Sequence, residues 1–278
     1  MLRSVAVALD DGPGSLEARR IAVATAKRLG ASVVGLALLD LPDLAPIEPS
    51  RAGASAFKAH RDQVVVEEAR GKLAALAASL REEAAAAGVA VEILDTEGSV
   101  QEGMLEAAQV ADLLVVGADC DFLFTEEAEL AEGLRELLHD TPRPLLLCPA
   151  IPGPVGPVVV TLDGSAAGLR ALFLFALLGL GQGSEVAVVA FDEDLEVARR
   201  RAEQGAKLLG RHDVPARIEA VGLDGERIEV ALLREVRRHS PGLLVMGSLA
   251  PRGLWGRLFG DRTGELLEAA GCPVFVSS

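Results

Sequence analysis

The chain has no tyrosine, a single tryptophan (Trp255) and eight phenylalanines, so aromatics make up only 3% of its 278 residues. Rows of aromatic side chains on which unpaired bases could stack are therefore not available. Cysteine is scarce: Cys120, Cys148 and Cys272 are an odd number without metal-ligand spacing, and only four histidines accompany them. That usage fits small core residues in a reducing compartment rather than a disulfide framework or a zinc site. Long apolar runs are lacking too. The longest, from Ala171 to Leu180, is about half the length that a bilayer requires. The N-terminal MLRSVAVALDDG reads as a strand, not a signal peptide, and the expected compartment is the cytoplasm. Positive charge is in deficit, with 27 Lys and Arg against 41 Asp and Glu, a net charge of −14 and a pI near 4.8. Nucleic acids and anionic membranes both recruit proteins by Lys/Arg neutralisation, so neither is an expected partner. A small molecule or another protein is.

Core material, by contrast, is abundant. Half the residues are apolar and the mean hydropathy is +0.32, and the length suffices for two domains. Short apolar runs such as Ser4–Leu9, Ser32–Leu39, Val89–Leu94 and Leu113–Val116 have the continuous hydrophobicity of strands buried on both faces. Helical segments separate them. The first is expected from an N-cap at Ser15 to Leu29, with Gly30 as its stop, another over about Gln63–Ala87, another over Val100–Val110, and a Glu/Leu-rich one up to His139. A proline-broken insertion, Leu41–Ser55, has no assigned role.

The pattern then begins again. IPGPVGP, residues 151–157, is a proline/glycine linker. Beyond it Val158–Leu162 with Asp163-Gly164-Ser165 echoes Leu9-Asp10-Asp11-Gly12. Likewise Leu243-Leu244-Val245-Met246-Gly247 repeats Leu113-Leu114-Val115-Val116-Gly117, and Cys272-Pro273-Val274-Phe275-Val276 repeats Arg143-Pro144-Leu145-Leu146-Leu147. The chain is a tandem duplication of a βαβαβαβαβ unit, with domains over 1–150 and 158–278. Alternating strands and helices predict two doubly wound parallel sheets with helices on both faces. The helix Ala166–Leu178 is apolar around its whole circumference, with Arg170 its only charge. It is expected to be covered on two sides, by its own sheet and by the other domain or another subunit.

The stretch Leu243–Thr263 couples a strand to a loop punctuated by Gly247, Gly253, Gly256 and Gly260. Such a loop leading into a helix makes a nest of N–H groups suited to phosphate; from glycine spacing alone, ordinary turns are the alternative reading.

In their order and spacing, repeated twice, these pieces resemble the universal stress protein family in its tandem two-domain form. The resemblance covers the whole chain. It implies two α/β domains, each a five-stranded parallel sheet of order 3-2-1-4-5, joined as an internal pseudo-dimer, and a homodimer. Some members bind ATP and others do not. In those that do, a carboxylate after strand one and main chain at the end of strand two hold the nucleoside, and a G-x2-G-x9-G-[ST] loop holds the phosphates, with Mg2+ as companion. Carried over, these roles fall on Asp163, on Ala190, and on Met246, Gly247, Ser248, Ala250, Gly260, Asp261, Arg262 and Thr263.

Two of these depart from the family pattern. Ala250 adds a Cβ where backbone should approach phosphate. Asp261 sets a carboxylate where a hydroxyl should donate, and like charges in a partly desolvated pocket weaken binding. Arg252, Arg257, Arg262 and Ser248 are near enough in sequence to compensate. The first copy has no glycine loop after Gly117 and offers Asp119, Asp121, Glu126, Glu127, Glu129 and Glu132 instead, which repels phosphate. That segment reads as a capped, solvated helix in a scaffold half. No catalytic motif is present: His60, His139, His212 and His239 are scattered, and no nucleophile elbow, P-loop or HExxH occurs. The chain is thus not expected to be an enzyme. Asp10-Asp11 with Asp95 also raises a phosphoacceptor receiver domain, but the lysine that it needs after strand five is missing. Two functions remain: an adenine-nucleotide sensor acting through the second domain, or a nucleotide-free scaffold or chaperone-like interaction protein.

Overall fold

A computed structural model describes residues 1–44, 55–120, 141–247 and 270–277. The first half runs β1 (Ser4–Ala8), α1 (Pro13–Leu29), β2 (Ser32–Asp40), α2 (Leu41–Leu44), α3 (Ser55–Ala87), β3 (Val91–Gly98), α4 (Val100–Val110), β4 (Leu113–Gly117) and β5 (Leu145–Cys148). The second runs β6 (Val158–Leu162), α5 (Ala166–Leu178), β7 (Val186–Asp192), α6 (Leu195–Gly210), β8 (Ala216–Gly222), α7 (Ile228–His239), β9 (Leu243–Gly247) and β10 (Val274–Ser277).

The two halves do not keep separate sheets. All ten strands form one sheet in the order β3-β2-β1-β4-β5-β10-β9-β6-β7-β8. Within each half the neighbours are parallel, and each half reads 3-2-1-4-5 from its outer edge to the middle. The joint is antiparallel, with Leu145, Leu146 and Leu147 opposite Val276, Phe275 and Val274. Strand five of one half thus closes against strand five of the other. This order also removes the receiver reading. Strand three lies at the outer edge beside β2, so Asp95 stands away from Asp10, whereas receivers place strand three next to strand one.

Side-chain alternation divides the sheet between two cores. Val5, Val7 and Leu9 face one side with Ala18 and Ala22 of α1, Leu73 and Leu80 of α3, and Leu172 and Phe175 of α5. Ala6 and Ala8 face the other with Met104 and Ala107 of α4 and Ala231 and Leu232 of α7. A period of two on strands buried on both faces makes their sequences continuously apolar.

Local signals account for most helix ends. Ser99 and Glu102 form a reciprocal capping box on α4, Ser165 accepts from Gly168 N (3.0 Å) on α5, and Gly30 closes α1 with φ 68°. The start of α1 is different. It begins at Pro13 with Gly12 as N-cap, not at Ser15, which lies buried inside the first turn. Pro13 fits the first helical position because its missing N–H is an orphan there. The neighbouring Gly14 N–H is satisfied from afar by Asp119 Oδ2 (2.9 Å). The third helix begins at Ser55 rather than near Gln63.

The apolar helix α5 buries Ala167, Ala171, Leu172, Phe175, Ala176 and Leu178 on the sheet side. Leu169, Phe173 and Leu177, which make its opposite stripe, are exposed, so the first half does not cover that face. The first half grips the end of the helix instead: Leu2 N donates to Leu178 O (3.1 Å), and Arg28 donates to Leu180 O and Gln182 O.

Candidate functional site

The parallel neighbours β7, β6 and β9 bring their carboxyl ends side by side, the place where doubly wound sheets bind ligands because loops diverge there on either side of the first strand. The turn after β6 is ordered by its own side chains. Asp163 Oδ1 accepts from Ser165 N (2.9 Å), and Gly164 adopts φ 81°. At the end of β9, Met246 is buried and Gly247 lies directly under α5. A Cβ on Gly247 would come within 2.2 Å of Gly168 N and 2.5 Å of the Ala167 carbonyl carbon. Its missing side chain therefore lets the first turn of α5 sit on the strand end. Gly117 does the same beneath α1, where a Cβ would meet Ser15 N at 2.4 Å.

Ala190 is fully buried in β7, in register with Leu162 on one side and Ala220 on the other. The main-chain acceptor at this strand end that a side chain reaches is one residue further on. Arg201 of α6 donates through Nη1 to Phe191 O (2.5 Å) and through Nη2 to Asp192 Oδ2 (2.9 Å). The same guanidinium lies against the Gly164 turn, since a Cβ there would stand 2.5 Å from Nη2. The Asp192 carboxyl is held below its ordinary value, first by the backbone N–H of Asp194 and then by Arg201. Nothing in the sequence marked Arg201, because α6 is a common amphipathic helix and only the fold turns this arginine onto two strand ends. Of the residues expected to form the site, Asp163, Ala190, Met246 and Gly247 are brought to neighbouring strand ends. Ser248, Ala250, Gly260, Asp261, Arg262 and Thr263, together with Trp255, lie outside the described residues.

At the corresponding strand ends of the first half a carboxylate lies against the turn. Asp119, two residues beyond β4, turns its carboxylate onto the start of α1, with a Cβ on Gly12 reaching its oxygen at 3.0 Å and one on Gly14 at 2.4 Å. Asp10 beside it is buried and accepts from Asp11 N (2.8 Å). The carboxylate thus stands where the positive end of the α1 dipole would favour an anion. The Glu-rich segment 121–140 expected to form a solvated helix lies outside the described residues.

This is a tandem α/β fold whose halves set different side chains against the turn after strand one, Arg201 paired with Asp192 in the second and Asp119 in the first. No protein-family profile matches the chain, and a search of curated protein sequences finds no significant match. Solved structures do match over its whole length. A universal stress protein from Archaeoglobus fulgidus is 16% identical, with 99% of this chain and 96% of that chain covered and a TM-score of 0.66. A putative universal stress protein from Pseudomonas aeruginosa is 18% identical over 99% and 93% of the two chains, with a TM-score of 0.55. A Pseudomonas aeruginosa protein of unknown function is 17% identical over 99% and 92%, with a TM-score of 0.53. The chain has the fold of the universal stress proteins in their tandem form. Among the described residues no helix is long and apolar enough to cross a membrane.

Proposed function

We propose that the protein is a stress-response nucleotide sensor that binds ATP, with Mg2+, through its second half, and that it acts by binding rather than by catalysis. The side chain set against the turn after strand one in each half carries this reading. Against the turn after strand one, the second half holds the guanidinium of Arg201, and the first half holds the carboxylate of Asp119. Arg201 is already paired with Asp192, so in this reading the guanidinium is shared with the bound nucleotide, whereas the Asp119 carboxylate of the first half repels a polyanion. In this reading Asp163 and the end of β7 take the nucleoside, with Arg201 beside them. The loop from Gly247 to Thr263 takes the phosphates, aided by Arg252, Arg257 and Arg262. Ala250 and Asp261 oppose it, so the affinity is modest and ADP or AMP binds more weakly than ATP.

The test uses Trp255, which lies in that loop. Mg·ATP is titrated while tryptophan emission is followed, with AMP as the control for nucleoside-only binding and calorimetry as the independent readout. A saturable change with ATP, tightened in Asp261→Ser and weakened in Arg201→Ala, supports the reading. An absence of both signal and heat up to millimolar ATP overturns it.

One observation favours a second reading, a nucleotide-free interaction protein. Leu169, Phe173 and Leu177 form an exposed apolar stripe on α5, which an isolated soluble chain has no evident reason to keep. The same titration separates the two.

A further inference from the structure

Away from the crevices, the edge strand β8 and the helix α7 bring together Glu219, Glu235 and His239, one donor atom from each lying within 4.8 Å of the others. Glu235 and His239 are four residues apart and so share one face of α7. Glu219 is two residues from Val221, which is buried in the core beneath that helix, and the period of a strand points both the same way. His239 Nε2 lies 3.2 Å from Glu219 Oε2 and 4.0 Å from Glu235 Oε2. A tetrahedral ion with bonds of about 2.0–2.2 Å sets its donors roughly 3.3–3.6 Å apart, so small side-chain adjustments would close the set.

The cluster is not a solvated surface patch. Glu235 is 6% exposed, and the His239 side chain is equally covered. Glu235 Oε1 accepts from Arg234 Nε (3.2 Å), but the buried Oε2 has no hydrogen bond. A buried carboxylate oxygen without one relies on a cation, and an ion pair supplies it here. The cation now nearest is Arg238. Its Nε approaches Glu235 Oε2 at 2.6 Å, and its Nη2 lies 3.0 Å from His239 Nε2 and pairs with Glu219 Oε2. The guanidinium therefore stands among all three donors. It suits the ring poorly, because Arg217 Nη2 also faces Nδ1 at 3.4 Å. A neutral imidazole accepts at one nitrogen only, so in either tautomer one contact sets donor against donor. Burial first, then Arg238 and Arg217, hold the imidazole below its ordinary pKa. Arg238 is itself more than half exposed and can leave without opening the core.

We propose that Glu219, Glu235 and His239 form a binding site for a divalent transition ion, zinc being the best matched to one imidazole and two carboxylates, which enters by displacing the Arg238 guanidinium. The two carboxylates balance the ion's charge, and the ion ties the edge strand β8 to α7. The site is separate from the nucleotide crevice and does not depend on that reading.

The experiment is a calorimetric titration of the metal-free full chain with zinc, repeated with cobalt(II) to read the visible absorption of a four-coordinate site. One ion is expected to bind, at least about tenfold more weakly in His239→Gln and in Glu219→Gln and more tightly in Arg238→Gln, which removes the competing cation. Thermal melts confirm that each variant is folded. Binding seen only in Arg238→Gln would show that the guanidinium keeps the ion out of the native chain and overturns the proposal. If zinc binds wild type, His239→Gln and Arg238→Gln alike, the ion sits on other carboxylates of this acidic chain and the proposal is wrong. Absence of binding by both wild type and Arg238→Gln overturns it equally.

Discussion

Arg201 Nη2 bonds Asp192 Oδ2 at 2.9 Å, and this pair spans the crevice between the end of β7 and the Gly164 turn after β6. The pair excludes a side chain at Gly164, where φ is already 81°. Gly164→Ala is expected to lose about 1–2 kcal/mol from the left-handed backbone alone, with a further loss as Arg201 is pushed off Phe191 O. Urea unfolding of the variant beside Arg201→Ala measures both parts. A Gly164→Ala chain as stable as wild type would show that the guanidinium does not hold this position.

Asp192 also makes a pH prediction. Its folded pKa lies below the ordinary 3.8, so the stability it contributes is fully present above that value and is lost as pH falls through the lower, folded one. In Asp192→Asn the acid limb of the stability curve is expected to flatten below pH 3.8, as read by urea midpoints across acidic buffers.

In the first half Asp119 supplies the cap that α1 lacks locally. Removing it in Asp119→Ala leaves Gly14 N–H without its partner and the helix start without its anion, a loss of about 1–2 kcal/mol. Chemical denaturation tests this, and Asp119→Asn should recover part of the loss because the amide oxygen still accepts.

The seam between the halves rests on Phe275 of β10, which is fully buried and meets the Phe175 ring edge-on with centroids 6.2 Å apart. Phe275→Ala is expected to cost about 3–5 kcal/mol. Because the residue sits opposite Leu146 of the other half, the loss should also uncouple the two halves. Calorimetry is expected to show one broad or two separate transitions where wild type shows one.

All three cysteines are buried and free. Burial raises the Cys148 thiol far above its ordinary range, with the Glu17 carboxylate adding to the effect, and it raises Cys272 from 9.0 to about 12. Thiolate is the reactive form, so a thiol reagent should label the native chain slowly and the urea-unfolded chain fast. These groups contribute stability that is fully present below about pH 9 and is lost as pH rises toward their folded values. An alkaline decline in the urea midpoint that Cys272→Ala reduces would bear this out.

Much of the architecture is legible locally. A strand such as Val158–Leu162 announces itself by continuous hydrophobicity, and Ser99-x2-Glu102 and Gly30 mark helix ends through groups that their own neighbours supply. The misplaced start of α1 shows the limit. Ser15 has the right chemistry for a cap, but Asp119, 105 residues away, does the work. Along the sequence His239 is one more scattered histidine. Its spacing from Glu235 is visible on a helix, whereas Glu219 joins them only when β8 is laid beside α7. Arg201 carried no mark at all.

Periodicity and composition are properties of neighbours along the chain, so the repeated strand–helix alternation, the depth of apolar core and the acidic balance are all legible there. The tertiary structure decided that the two halves share one sheet, that α5 leaves a stripe uncovered, and that one crevice holds an arginine and the other an aspartate. Those outcomes depend on which of several equally apolar strand edges pair, and on which long side chains then meet across the gaps, and neither choice is encoded within a few residues.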